Sequence, residues 1–198
     1  MPPEDALLII DVQNDFCPGG ALEVRSGDQV VAPLNRMIER ARLKGEAVYA
    51  TRDWHPPTTR HFRDHGGIWP AHCVAGSPGA EFHPSLALPD TAVVVTKGDT
   101  EDGEGYSAFE GRTPAGVPLA EEMEAQGVKR LYVGGLATDY CVRQSVLDAL
   151  REGFEVTVLT DAVRGVDVQP GDSARALAEM KTAGADFRVT SEVLDDEP

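Results

Sequence analysis

Three residues of reactive type stand beside the apolar runs of this chain, and together they could carry nucleophilic chemistry. In RLYVGGLATDYCVRQSVLDAL, residues 130–150, an apolar run ends in Gly134-Gly135, a polar turn follows, and Cys141 falls in the first turn of an amphipathic helical pattern. A cysteine there meets the positive end of a helix dipole, so the sequence predicts a depressed pKa and a nucleophilic thiolate. Asp11 follows the first apolar run and Lys97 the third. A nearby carboxylate of tuned pKa can act as base for the thiol, and a lysine beside it holds that carboxylate ionised. Taken singly, each residue has an ordinary role: Asp11 caps a turn, Lys97 is a solvated strand end, and Cys141 is a small buried hydrophobe. Catalysis requires that the three meet.

A second constellation is Asp53-x-His55-x5-His61, with His72 further on, in a stretch leaving the second apolar run. Imidazole and carboxylate donors together suit zinc, iron or manganese better than calcium. No Cys-x-x-Cys is present, so a closed structural zinc site is not expected. Histidines in a loop also make ordinary hydrogen bonds, which is the reading for His65 and His83.

These residues need a scaffold that brings them to one edge. Apolar runs of strand length recur at Ala6–Ile10, Ala47–Ala50, Ala92–Val95, Leu131–Val133, Val156–Leu159 and, more weakly, Phe187–Val189. They are continuous rather than alternating, as in a parallel sheet covered on both faces. Helical patterns lie between most of them, at Asp28–Leu43, Pro118–Gln126, Thr138–Arg151 and Asp172–Thr182, the first with Ser26 and Gln29 as a candidate capping box. The alternation predicts a three-layer α/β domain spanning residues 1–198. Residues 54–90, rich in Pro, Gly and His, lack periodicity and read as an ordered functional insertion. Asp11, Asp53, Lys97, the Cys141 turn and Asp161 each follow a strand, and open α/β sheets bind ligands at that edge.

Composition removes several classes of function. Eighteen Lys+Arg against 33 Asp+Glu give a net charge of -15, which repels nucleic acid and anionic membranes. No apolar run approaches the length of a membrane helix, and the N-terminus has no basic segment of a signal peptide. Three cysteines are too few for a disulfide framework, so reduced thiols and a cytoplasmic location are expected. Nucleotide-binding glycine motifs are missing, and Gln13 stands where an aspartyl phosphotransferase would want a second acid.

The segments LLIIDVQNDFCPGGAL, TRDWHPP with His61, WPAHCVAGSPGAEFHP, TKGDT with GYSAFEG, and GLATDYCVRQSVLDA resemble the nicotinamidase/pyrazinamidase branch of the isochorismatase-like cysteine hydrolases. The resemblance runs in order from Ala6 to about Asp161. It implies an αβα sandwich around a six-stranded, mainly parallel sheet, and hydrolysis of nicotinamide to nicotinate and ammonia through a thioester. It assigns Asp11, Lys97 and Cys141 as catalytic triad, and Asp53, His55, His61 and His72 as ligands of one divalent transition metal, zinc ahead of iron or manganese. Phe16, Trp69 and Tyr106 match the substrate pocket. A cis peptide is expected between Leu136 and Ala137, with the Ala137 and Cys141 amides as oxyanion hole. Tyr140 and residues 63–68 fall where the family varies, and could tune the preference among pyridine and pyrazine amides. The implied partner is a small amide, with self-association left open. A related amidase for another small amide or carbamoyl compound, and a non-catalytic binding module, are the alternatives.

Overall fold

The computed structural model describes residues 3–195. Its centre is a six-stranded sheet built from β1 (Asp5–Ile10), β2 (Ala47–Asp53), β3 (Val93–Lys97), β4 (Arg130–Leu136), β5 (Glu155–Arg164) and β6 (Asp186–Arg188). The strands lie in the order β3-β2-β1-β4-β5-β6, and every neighbouring pair is parallel. The unbroken apolar runs follow from burial on both faces. Leu7 and Ile9 pack to one side, while Ala6, Leu8 and Ile10 pack to the other.

Helices close both faces. α1 (Val31–Lys44) and α5 (Thr190–Asp195) share the core with Leu7 and Ile9. α2 (Leu119–Ala125), α3 (Arg143–Arg151) and α4 (Asp172–Ala183) cover the opposite face through Met123, Val146 and Met180. The stripe Val31, Leu34, Ile38 and Ala41 seats α1, and Gly45, at φ 70°, ends it in the left-handed conformation that glycine adopts without cost. Because β2 and β3 lie on one side of β1 and β4 to β6 on the other, the winding reverses between β1 and β4. A ligand crevice forms beyond the strand ends at such a reversal.

Four details depart from the sequence reading. Ser26 is in the left-handed region and caps nothing; a 3-10 turn at Gly27–Val30 precedes α1, and the Gln29 side chain accepts from Arg164 instead. The pattern over Thr138–Arg151 divides into a π-helical turn, Thr138–Val142, and α3 proper. β5 runs on to Arg164, so Asp161 lies inside it and binds Thr190 at the start of α5 rather than the crevice. α5, only six residues long, had no periodic signal. No helix among the described residues is long and apolar enough to cross a membrane.

Between β2 and β3 the chain folds back on itself. Short bridges join His55 to Val74 and Phe62 to Trp69, and 3-10 turns form at Arg63–His65 and Pro78–Ala80. This is the histidine-bearing stretch, and it lies at the carboxyl edge of the sheet.

Candidate active site

Asp53 and Lys97 end β2 and β3, Asp11 follows β1, and Cys141 occupies the turn after β4. Gly135, at φ 128°, lets β4 approach the end of β1: a Cβ there would lie 2.0 Å from the Ile10 carbonyl oxygen. Lys97 is the meeting point. Its ammonium lies 2.7 Å from Asp11 Oδ2, contacts Asp53 Oδ1, and donates to the Gly105 carbonyl at 2.5 Å and to Cys141 Sγ at 3.6 Å. All four side chains are buried. A charge with no water around it needs such partners, and here one cation serves two carboxylates and a thiol.

The ionisation states follow from that packing. Burial pushes Asp11 up to about 6, against the pull of Lys97. Thr51 opposes the rise by donating to Asp11 Oδ1 at 2.6 Å. Asp53 feels the same burial, yet Lys97 and His55 hold it below the usual carboxylate range. Lys97 stays firmly protonated, because the two carboxylates outweigh its desolvation. Cys141 corrects the sequence reading: burial drives the thiol well above its ordinary value, Lys97 pulls it down, and Asp11 and Asp53 push it up again. Its turn is π-helical and closed in, so desolvation wins over the helix dipole. The resting group is a thiol and needs a base. Asp11, poised near neutrality within 4.8 Å, is in position to be one.

His55, His61 and His72 present ring nitrogens within 4.8 Å of one another. His55 Nδ1 is 2.9 Å from the Gly98 carbonyl and His72 Nδ1 2.8 Å from that of Pro70, which leaves both Nε2 atoms for the shared centre. His55 Nε2 is buried without a hydrogen-bond partner. Burial and the neighbouring imidazoles lower His61 to about 4, and burial lowers His72 as well, so both offer lone pairs. Asp53 Oδ2 faces His55 Nε2 at 3.7 Å. An orphaned buried imidazole nitrogen, two neutral histidines and a free carboxylate oxygen fit a divalent metal.

A cavity joins the two groups; Phe16, Asp53, His61, His72, Ala137 and Cys141 are among its walls. Trp69, Tyr106 and Tyr140 close one side. The Trp69 indole donates to the Tyr106 hydroxyl at 2.9 Å, and the Tyr140 ring lies 5.0 Å from Trp69 and 6.0 Å from Tyr106. Phe16 stands 5.5 Å from the His72 ring. The Leu136–Ala137 peptide is cis. The Ala137 carbonyl turns into the π-helical turn, accepting from Tyr140 and Val142.

All the residues singled out for the triad, the metal and the pocket therefore share one crevice. His65 is exposed, and His83 accepts from its own loop at Ser85. Residues that the sequence reading did not assign are Thr51, Gln13 and Val166. Gln13 clamps β2 by accepting the Asp53 N–H and donating to the Asp53 and Ala80 carbonyls, each at 2.8 Å. Val166 lines the cavity from the segment after β5.

A family model for the Isochorismatase domain matches residues 5–192. Nicotinamidase of Escherichia coli is 45% identical, over 93% of this chain and 94% of its own. Nicotinamidase/pyrazinamidase of Mycobacterium tuberculosis is 40% identical, over 94% of this chain and 99% of its own. The crystal structure of Pyrococcus horikoshii pyrazinamidase in complex with zinc superposes with a TM-score of 0.87 at 48% identity, covering 94% of this chain and 99% of that one.

Proposed function

The chain belongs to the isochorismatase family, and from that membership we propose that it is a nicotinamidase, hydrolysing nicotinamide and pyrazinamide to the carboxylate and ammonia. The observation that carries the reading is the Lys97 ammonium, set between Asp11 and Asp53 and 3.6 Å from the Cys141 sulfur, beside a cavity that His61 and His72 line with His55 buried against them.

Asp11 accepts the Cys141 proton as the sulfur attacks the carboxamide carbon. Lys97 holds Asp11 and the forming thiolate in one field, while the Ala137 and Cys141 amides receive the carbonyl oxygen. Asp11 then returns the proton to the amide nitrogen as the C–N bond breaks and ammonia leaves. Water adds to the thioester, Asp11 takes its proton, and the C–S bond breaks to release the acid and restore the thiol. Asp53, His55, His61 and His72 would hold one divalent metal, zinc first among iron and manganese. When bound, it supplies a Lewis-acid anchor for the ring nitrogen. Phe16, Trp69 and Tyr106 fix the plane of the ring. We read residues 54–90 as the metal- and substrate-binding insertion of a single domain, and place the protein in the cytoplasm on its three free cysteines.

The test is ammonia release from nicotinamide by the metal-loaded protein. Cys141→Ala should abolish it, and unchanged release would sink the mechanism. An inert wild type whose thiol reacts like free cysteine would favour a binding module instead. Turnover of a carbamoyl compound in preference to nicotinamide would favour a related amidase, although an aromatic wall beside three histidines suits a flat nitrogen heterocycle better.

A further inference from the structure

Asp139 stands two residues before the nucleophile and is 8% exposed. Its carboxylate reaches the segment that follows β5. One oxygen accepts the Val166 N–H at 2.9 Å and the other the Asp167 N–H at 2.8 Å. No Lys or Arg among the described residues forms an ion pair with it, so backbone amides hold this acid. The receiving segment is itself fastened. Asp167, at φ 50°, accepts from Ser173 N at 2.8 Å and from Ser173 Oγ at 2.9 Å, which ties it to the first turn of α4. Gly165 makes the approach feasible: a Cβ there would fall 1.8 Å from Ser173 Oγ and 3.0 Å from Asp139 Oδ1.

This strap has consequences at both ends. Cys141 and Val166 are walls of the same cavity, yet they belong to different connections in the chain, the turn after β4 and the segment after β5. The β4–β5 pairing brings them together as far as Leu136 and Arg164, and beyond it the Asp139 carboxylate ties one to the other. We propose that Asp139 is a positioning residue for the hydrolytic reaction, holding the thiol-bearing turn and the Val166 wall in one fixed relation so that a ring against Val166 presents its carboxamide to Cys141. The inference rests on the nicotinamidase reading for its substrate. The placement of the thiol itself does not depend on that reading.

Asp139→Asn is the informative change, because the amide keeps one acceptor oxygen but turns an NH2 toward the second N–H. Displacing a reacting group by less than an ångström is enough to lower kcat by about tenfold or more, and a loosened Val166 wall should raise KM by about threefold. Both constants are read from ammonia release, per titrated thiol and well below the melting temperature. A role confined to stability would lower the melting temperature and leave both constants at wild-type values, which overturns the proposal. Asp139→Ala, which loses both acceptors, should be worse in each constant; parity with Asp139→Asn would also overturn it. Alkylation of Cys141 by iodoacetamide gives a substrate-independent readout. An altered rate in Asp139→Asn supports the strap even where the wild type proves inert toward nicotinamide. Should neither variant fold, amide hydrogen exchange on the wild type decides. The Val166 and Asp167 amides should open together with the turn holding Cys141, and independent opening would refute the coupling.

Discussion

Replacing Lys97 by Met keeps most of the stem and deletes the charge that three groups share. Asp11 already titrates at about 6 rather than 3.8, because burial outweighs the lysine's pull. At about 1.4 kcal/mol per unit, that displacement means ionised Asp11 is some 3 kcal/mol less favourable in the fold than in water. Removing one partner of a buried pair costs roughly 3–5 kcal/mol, equivalent to about 2–4 further units. Asp11 in Lys97→Met should then titrate at about 8 or above and be no more than ~10% ionised at pH 7. The assay is kcat/KM for nicotinamide across pH 5–10. In the wild type the rising limb should lie near 6, where buried Asp11 loses its proton. In the variant it should move beyond about 8, with at least a tenfold loss at pH 7 partly recovered in alkali. Stability supplies a second sign. A carboxylate with a raised folded pKa binds more protons folded than unfolded between its two pKa values, so stability falls as pH rises across that window. For the wild-type Asp11 the window runs from 3.8 to about 6. For Lys97→Met it should extend past neutrality, so the melting temperature keeps falling above pH 6. A rising limb that stays near 6 in Lys97→Met would refute the account of Lys97 as the group that keeps the base ionised.

Other perturbations separate the parts of the site. Thr51→Val removes the 2.6 Å hydrogen bond to ionised Asp11; at about 1 kcal/mol, the rising limb should shift up by a little under one unit, and a downward shift would contradict the assignment. Gly98→Ala places a Cβ 2.6 Å from the His55 ring at φ 65°, pushing the imidazole off its carbonyl orienter; metal affinity, measured against a chromophoric chelator, should drop by about 10–100-fold. Tyr106→Phe deprives the Trp69 indole of its acceptor; the expected result is a KM raised by roughly 2- to 10-fold with kcat little changed. Chelation followed by dialysis should raise KM for nicotinamide sharply, with recovery on adding back zinc, and an unaffected KM would remove the anchoring role.

The strands that place Asp11, Asp53 and Lys97 were legible because continuous apolar runs have few readings in an α/β chain. The ends of those runs name the residues at the crevice. Asp161 was misplaced by the same rule, since the apolar signal stops at Leu159 while the strand continues to Arg164. Thr51 and Gln13 were not legible. Thr51 lies 40 residues from its partner Asp11, and Gln13 40 residues from Asp53; only the packing of β1 beside β2 brings them together. A glutamine two positions after an aspartate reads as the absence of an acid, whereas in the fold it is the clamp that fixes the backbone of a metal-ligand candidate.

Cys141 shows why local rules reach a site and then mislead about its state. A thiol at the start of a helical pattern is expected to ionise because open N–H groups face it. That expectation assumes an exposed terminus. In the fold the turn is π-helical, the thiol is 7% exposed, and the nearest charges include two carboxylates as well as one ammonium. Desolvation then outweighs the dipole, and the sulfur rests protonated. In the proposed mechanism, what makes it a nucleophile is not its own acidity but a neighbour whose basicity burial has raised. Asp11 and Cys141 are displaced upward by the same dry environment, and Lys97 lies against both. Proton transfer between them therefore changes the field at Lys97 little, so the thiolate can form at the moment of attack. An exposed cysteine would gain acidity and lose that match. Substituting the residues that keep the site dry, Phe16 or Trp69, should consequently speed alkylation of Cys141 while slowing turnover of nicotinamide; parallel losses in both would show that access, not the shared environment, governs the thiol.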